Sequence, residues 1–240
     1  MSMQWTRPLP RVLLDGLLLA LLVMAFAYWW LGNGVHEIIG SALLLLVLRH
    51  VANNLFWWKS LSKGKWTPQR IFNLVLGVLL ALALLALLVS SIFLSRTLPM
   101  IFLLPRVFVM QEIHWFSAYW AIALSAMHIG VNWNRIVALI LVVAGKRNLP
   151  RWLKYAGWLL SLVVSVQALK SGATIGLWDR LAFQYSLSMW DFNQSVLPFF
   201  LHWAAALVGL AVISQLALLL ATQIQGALVG GKQKVRASRH

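Results

Sequence analysis

The chain has 240 residues, of which 61% are hydrophobic and only 10% charged. A soluble domain of this length has too little interior to hide so much apolar surface, so the composition excludes a soluble globular protein and predicts a polytopic membrane protein. The net charge of +15 does not call for a nucleic-acid partner, because the basic residues fall between apolar runs, where the positive-inside rule already accounts for them. Cysteine is absent, which removes covalent haem c, cysteine-ligated clusters and disulfides and leaves histidine as the metal ligand present in quantity.

Six largely apolar runs of about twenty residues predict membrane spans near 11–31, 36–58, 71–95, 111–143, 152–169 and 196–222. The first follows a basic start, but no small-residue cleavage site ends it, so it reads as a retained helix rather than a signal peptide. Breaker-rich segments separate the runs: Lys63 to Pro68, Leu98 to Arg106, Gly145 to Pro150, and Gly172 to Ser195. The expected fold is all-α, a six-helix transmembrane bundle over residues 1–229 with a basic tail over 230–240 drawn to anionic membrane lipid.

Charge orients this bundle. Arg7 and Arg11, then Lys59, Lys63, Lys65 and Arg70, then Lys146, Arg147, Arg151 and Lys154, then Lys232, Lys234, Arg236 and Arg239 all fall on one side if there are six spans. The other side carries Glu37, Arg96 and Arg106, and later Lys170 and Arg180 offset by Asp179 and Asp191. Both termini are therefore expected in the cytoplasm. Tryptophans such as Trp5, Trp29, Trp57, Trp115, Trp152 and Trp190 gather near expected span ends, as an interfacial belt would.

Two of the runs carry costly side chains. The fourth holds His114 and His128, and the second holds His36 and His50, each pair fourteen residues apart. Fourteen steps of about 100° fall roughly 40° short of four turns, so each pair shares a helix face and lies about 21 Å apart along the axis. The runs correspond at one offset: His36 with His114, His50 with His128, and Asn54 with Asn132, each separated by 78 positions. Each half reads H-x13-H-x3-N. In a six-span topology the two helices run parallel, with His36 and His114 at an outer level and His50 and His128 at an inner one.

Paired imidazoles at two depths suit metal ions bound from opposite sides. Two haem b groups, each with two axial histidines, fit this pattern best, because helical bundles hold such cofactors between facing helices. The alternative is a haem-free transporter or assembly subunit that moves protons or cations through the same histidines, although no carboxylate or thiol accompanies the pairs. Arg49 and Arg135 near the inner level, and Arg96 and Arg106 near the outer, are candidates for binding haem propionates. Asn54 and Asn132, one turn beyond the inner histidines, are candidates for bonding propionates or the partner histidine helix. Asp15 and Glu37 could handle protons at a quinol site; unmatched His202 reads as a packing or hydrogen-bonding residue, the alternative being a quinone or third-cofactor role, and His240 lies in the tail.

The run His50-x3-Asn54 with Trp57-Trp58, and the run His128-Ile-Gly-Val-Asn-Trp133, resemble a bacterial family of cytochrome-b-like di-haem membrane proteins. That family is distantly similar to cytochrome b of respiratory complexes and to ferric-reductase-type and formate-dehydrogenase-type cytochromes. The likeness extends to Gly172–Gly176 and to Trp190-Asp191-Phe192, although Leu55 stands where a full repeat would place tryptophan. It implies that His36, His50, His114 and His128 are axial ligands in an inner-membrane electron carrier. Such a carrier would serve as a subunit of a larger redox system and exchange electrons with a quinone or a redox partner protein: a flavoprotein, a cytochrome c or a dehydrogenase subunit.

Overall fold

A chain this apolar must satisfy its backbone hydrogen bonds within each segment, and helices do so. The computed structural model describes residues 8–61, 63–96, 108–184 and 190–237, and among them it contains helices and no strand. Arg7, Arg106, Arg239, Trp5 and His240 lie outside the described residues. The helices are α1 (Pro8–Ala25), α2 (Tyr28–Lys59), α3 (Pro68–Leu94), α4 (Phe108–Val131), α5 (Trp133–Val143), α6 (Arg151–Thr174), the short α7 (Leu177–Leu181) and α8 (Leu197–Ala237). Four are long and apolar enough to cross a membrane: α2, α3, α6, and α8 over Leu197–Leu228. The pair α4 and α5 makes a fifth if it is counted as one span.

Several expected boundaries move, each for a local reason. The run 11–31 divides: α1 ends at Ala25, where Phe26 and Ala27 donate to Val23 and Met24 in a tight final turn. Trp29 and Trp30 then belong to α2. Within α2, Gly32 adopts φ 76° and ψ 171°, a region open to little besides glycine, and breaks the helix just before His36. The run 111–143 also divides, because the axis bends by 70° between α4 and α5. No proline sits at the bend; Asn132 there has φ −99° and ψ 9°. At the other ends Thr67 caps α3 by accepting from Arg70 N at 3.4 Å, with Pro68 at the first helical position.

α4 is the central post. Its small residues Ala121, Ala123, Ala126 and Gly130 are buried, and it packs along both α3 and α8, while α8 also packs along α6. Small residues allow this where lipid supplies no hydrophobic drive between helices. A Cβ on Gly130 would collide with the Ala211 carbonyl and the Ser214 hydroxyl, and that hydroxyl donates to Met127 O at 2.9 Å across the same interface. Ile122, Ile175, Leu177, Phe199, Trp203 and Ala206 form one buried cluster with Ala27. Outward faces are apolar, with Phe56 at 76% and Val166 at 77% exposure, as lipid contact requires.

α2 stands apart from this block. It packs along α1 rather than along α4, and it reaches α3 at two points. Glu37 accepts from Ser95 Oγ at 3.2 Å and Arg96 N at 2.8 Å, and the Trp58 indole lies against Gly77. Between these ties lies open space.

Candidate cofactor site

That space is a cavity of about 1960 Å³ whose walls include His36 and His50 on one side and His114 and His128 on the other. The 78-residue repeat therefore places all four histidines on one void. Its local geometry also repeats: Asn54 Nδ2 donates to His50 O at 2.8 Å, and Asn132 Nδ2 donates to His128 O at 2.9 Å.

At the level expected to be outer, the His36 and His114 ring centres are 6.1 Å apart, with the planes inclined by 65°. A transition-metal ion bonded to one nitrogen of each ring, at about 2.0 Å per bond plus roughly 1.1 Å from nitrogen to ring centre, calls for nearly this spacing. The rings are held from behind. Ala25 ends α1, so its carbonyl has no partner within that helix, and it accepts from His36 Nδ1 at 3.0 Å. Tyr28 meets the same ring edge-on at 5.3 Å. Ser90 Oγ donates to Ala86 O at 2.7 Å and so accepts from His114 Nδ1 at 3.2 Å. Neither Ala25 nor Ser90 was legible as a partner in the sequence; the Ser90-Ser91 pair in an apolar helix was the one available hint.

At the inner level His50 Nδ1 donates to Asp15 Oδ1 at 2.7 Å, joining α2 to α1. His128 Nδ1 is buried and lacks a hydrogen-bond partner among the described residues. In three of the four histidines the acceptor therefore fixes the tautomer: hydrogen on Nδ1 and a free lone pair on Nε2. None of the four Nε2 atoms has a hydrogen-bond partner among the described residues, and none is buried without one. All four rings line the cavity. Three Nε2 lone pairs oriented from behind form the arrangement that metal-binding histidines need.

The other expected site residues divide. Arg135 lines the inner end, together with Arg11, which sequence reasoning treated only as a topological charge. Arg96 and Arg180 line the cavity elsewhere, with Arg180 stacked 4.5 Å over the Trp115 ring. Arg49 is exposed and is not part of the wall. Asn132 also donates to Asn73 Oδ1 at 2.6 Å, so the helix it bonds is α3 and not the partner histidine helix α2. Asp15 partners a histidine, and Glu37 ties helices together while accepting from Asn33 Nδ2 at 2.8 Å. His202 lies behind the wall, sharing a 3.0 Å hydrogen bond with Ser171 Oγ beside the Trp190 ring, in keeping with packing. Among the described residues no group of three or more histidine and acidic side chains is arranged to hold a bare metal ion.

Compared with models of known protein families, with curated proteins and with solved structures, the chain finds no match.

Proposed function

We propose that the protein is a di-haem b-type membrane cytochrome, with one haem between His36 and His114 and a second between His50 and His128. It carries electrons across the bilayer between a quinone or redox partner protein and an acceptor, as a subunit of a larger redox system. The observation that carries this reading is the 6.1 Å spacing of His36 and His114, with the Nδ1 hydrogens of His36, His50 and His114 already engaged behind the rings. The donor set agrees. Two imidazoles with no third protein ligand suit an iron whose other positions a porphyrin fills, whereas a bare zinc ion takes four ligands. The volume agrees as well: about 1960 Å³ exceeds the roughly 300–1,000 Å³ of a pocket for one small ligand.

Bound haem supplies an iron that accepts and returns one electron at a time. The chain's own residues do the rest. His36, His50, His114 and His128 would hold the haem irons, while Ala25, Ser90 and Asp15 keep three of the rings in place. Leucines from α1, α2 and α3 on the cavity wall exclude water, and Arg11, Arg96, Arg135 and Arg180 offer cations for propionates. We further take α1 as a sixth span. Its 18 residues reach about 27 Å, close to the roughly 30 Å apolar thickness of a bilayer. Both termini then lie in the cytoplasm, and the histidine helices run parallel. Membership of the cytochrome-b-like family rests on the motifs around His50 and His128.

Purified protein in detergent, scanned before and after dithionite and assayed for haem, is expected to contain two haem b per chain with reduced cytochrome b bands. His50→Ala or His128→Ala should lose one haem and keep the other. A colourless yet folded preparation overturns the reading, as does a variant series in which neither haem is lost.

A further inference from the structure

The four histidines differ in what stands behind them. His36 donates to a neutral carbonyl and His114 to a neutral hydroxyl, whereas His128 has no partner among the described residues. His50 alone donates to a carboxylate, Asp15 Oδ1, at 2.7 Å. The acceptor comes from another helix, 35 positions earlier in the chain, so the contact is a product of the fold and not of local sequence. Asp15 faces the cavity, and among the described residues no lysine or arginine forms an ion pair with it. Its negative charge therefore bears on the imidazole without a cation to cancel it at contact distance.

We propose that Asp15 is a positioning residue that sets the two haem sites apart in reduction potential, making the inner site the lower of the two. This rests on the di-haem reading. A hydrogen bond to an ionised acceptor is roughly twice as strong as one to a neutral acceptor. Pulling on Nδ1–H makes Nε2 a more basic ligand, and ligand basicity together with the nearby negative charge favours the ferric over the ferrous state. At the outer site both histidines donate to neutral acceptors; the Glu37 carboxylate beside His36 is instead engaged by Asn33 Nδ2, Ser95 Oγ and the Arg96 N–H, so no carboxylate pulls on an imidazole N–H there. Electrons shared between the sites therefore rest preferentially at His36 and His114. The chain has a built-in direction: reductant serves the inner side and oxidant the outer.

The test is an optical redox titration of the purified holoprotein, with low-temperature electron paramagnetic resonance of the oxidised form. Wild type should titrate in two waves. In Asp15→Asn, which keeps the shape and removes the charge, the lower wave should move to higher potential while the upper stays in place. The low-spin ferric signal of one centre should change with it. Asp15→Glu, which restores a carboxylate, should return the lower wave toward its wild-type position. Two haems per chain with both waves unmoved in Asp15→Asn overturn the inference and leave the di-haem reading intact. Movement of the upper wave alone, or of both waves equally, overturns it too. If Asp15→Asn loses one haem, Asp15→Glu decides: a lower wave retained supports the inference, and a haem lost there as well overturns the charge-based role. A wild-type protein without haem sinks the underlying reading and this inference together.

Discussion

Gly130 sits where α4 and α8 approach each other most tightly against a carbonyl, and a methyl group there has nowhere to go. The obstacles are the Ala211 carbonyl and the Ser214 hydroxyl, and backbone cannot swing aside as a long side chain can. Overpacking of this kind costs about 1–3 kcal/mol. Gly130→Ala should therefore lower the thermal unfolding midpoint in detergent, whereas Gly157→Ala, with open space around it, should not. Gly130 lies two residues from His128, so the same collision should loosen the inner site before the outer one. Legibility at this scale follows chemistry. The four histidines stand out because an ionisable group in an apolar run has few innocent explanations. The acceptor behind His36 is a main-chain oxygen of Ala25, which every residue possesses and no sequence can single out. Asp15 is an intermediate case: its expense in an apolar helix marks it, but only the approach of α1 to α2 reveals that His50 is its partner.

Among the elements, α2 depends most on one backbone conformation. Gly32 carries φ 76° and ψ 171°, a region that costs a residue with a Cβ on the order of 1–3 kcal/mol. The break it makes lets the chain turn back so that His36 reaches the final carbonyl of α1. Gly32→Ala should straighten this entry, detach His36 from Ala25 and lower haem content at the outer site first. Haem per chain together with the surviving redox wave measures that outcome. The second break, at Asn132, was not legible because the run from Phe108 to Val143 is largely apolar and free of proline. What bends it is tertiary. Asn132 is drawn toward Asn73 on α3 while its side chain also bonds His128 O. The corresponding Asn54 makes the same local bond, and α2 runs on to Lys59 without a comparable bend. A shared motif thus set the shared local geometry, and the neighbour decided whether the helix turned. α4 alone has 24 residues, about 36 Å, but it is together with α5 that it is apolar enough to count as a span.

For the whole molecule, the absence of cysteine makes sidedness directly measurable. Single cysteines can be introduced into a chain with no background thiol. Lys63→Cys and Lys146→Cys should react with a membrane-impermeant maleimide only from the cytoplasmic side, and Asn193→Cys only from the opposite side. Labelling of Lys63→Cys and Lys146→Cys from different sides would overturn the six-span topology. Helical content and membrane-spanning character were legible at this scale because they follow from composition. The division of the bundle was not. Even apolar faces say little about which helix packs on which, and α2 proves to be set off from the block of α3, α4, α6 and α8.

That separation bears on how the protein is made. α1 and α2 leave the ribosome first, yet the opposite wall of their cleft is α4, and α4 leans on α8 at the far end of the chain. The α1–α2 hairpin therefore faces an open cleft until α4 has packed on α3, and α8 then braces that wall from behind.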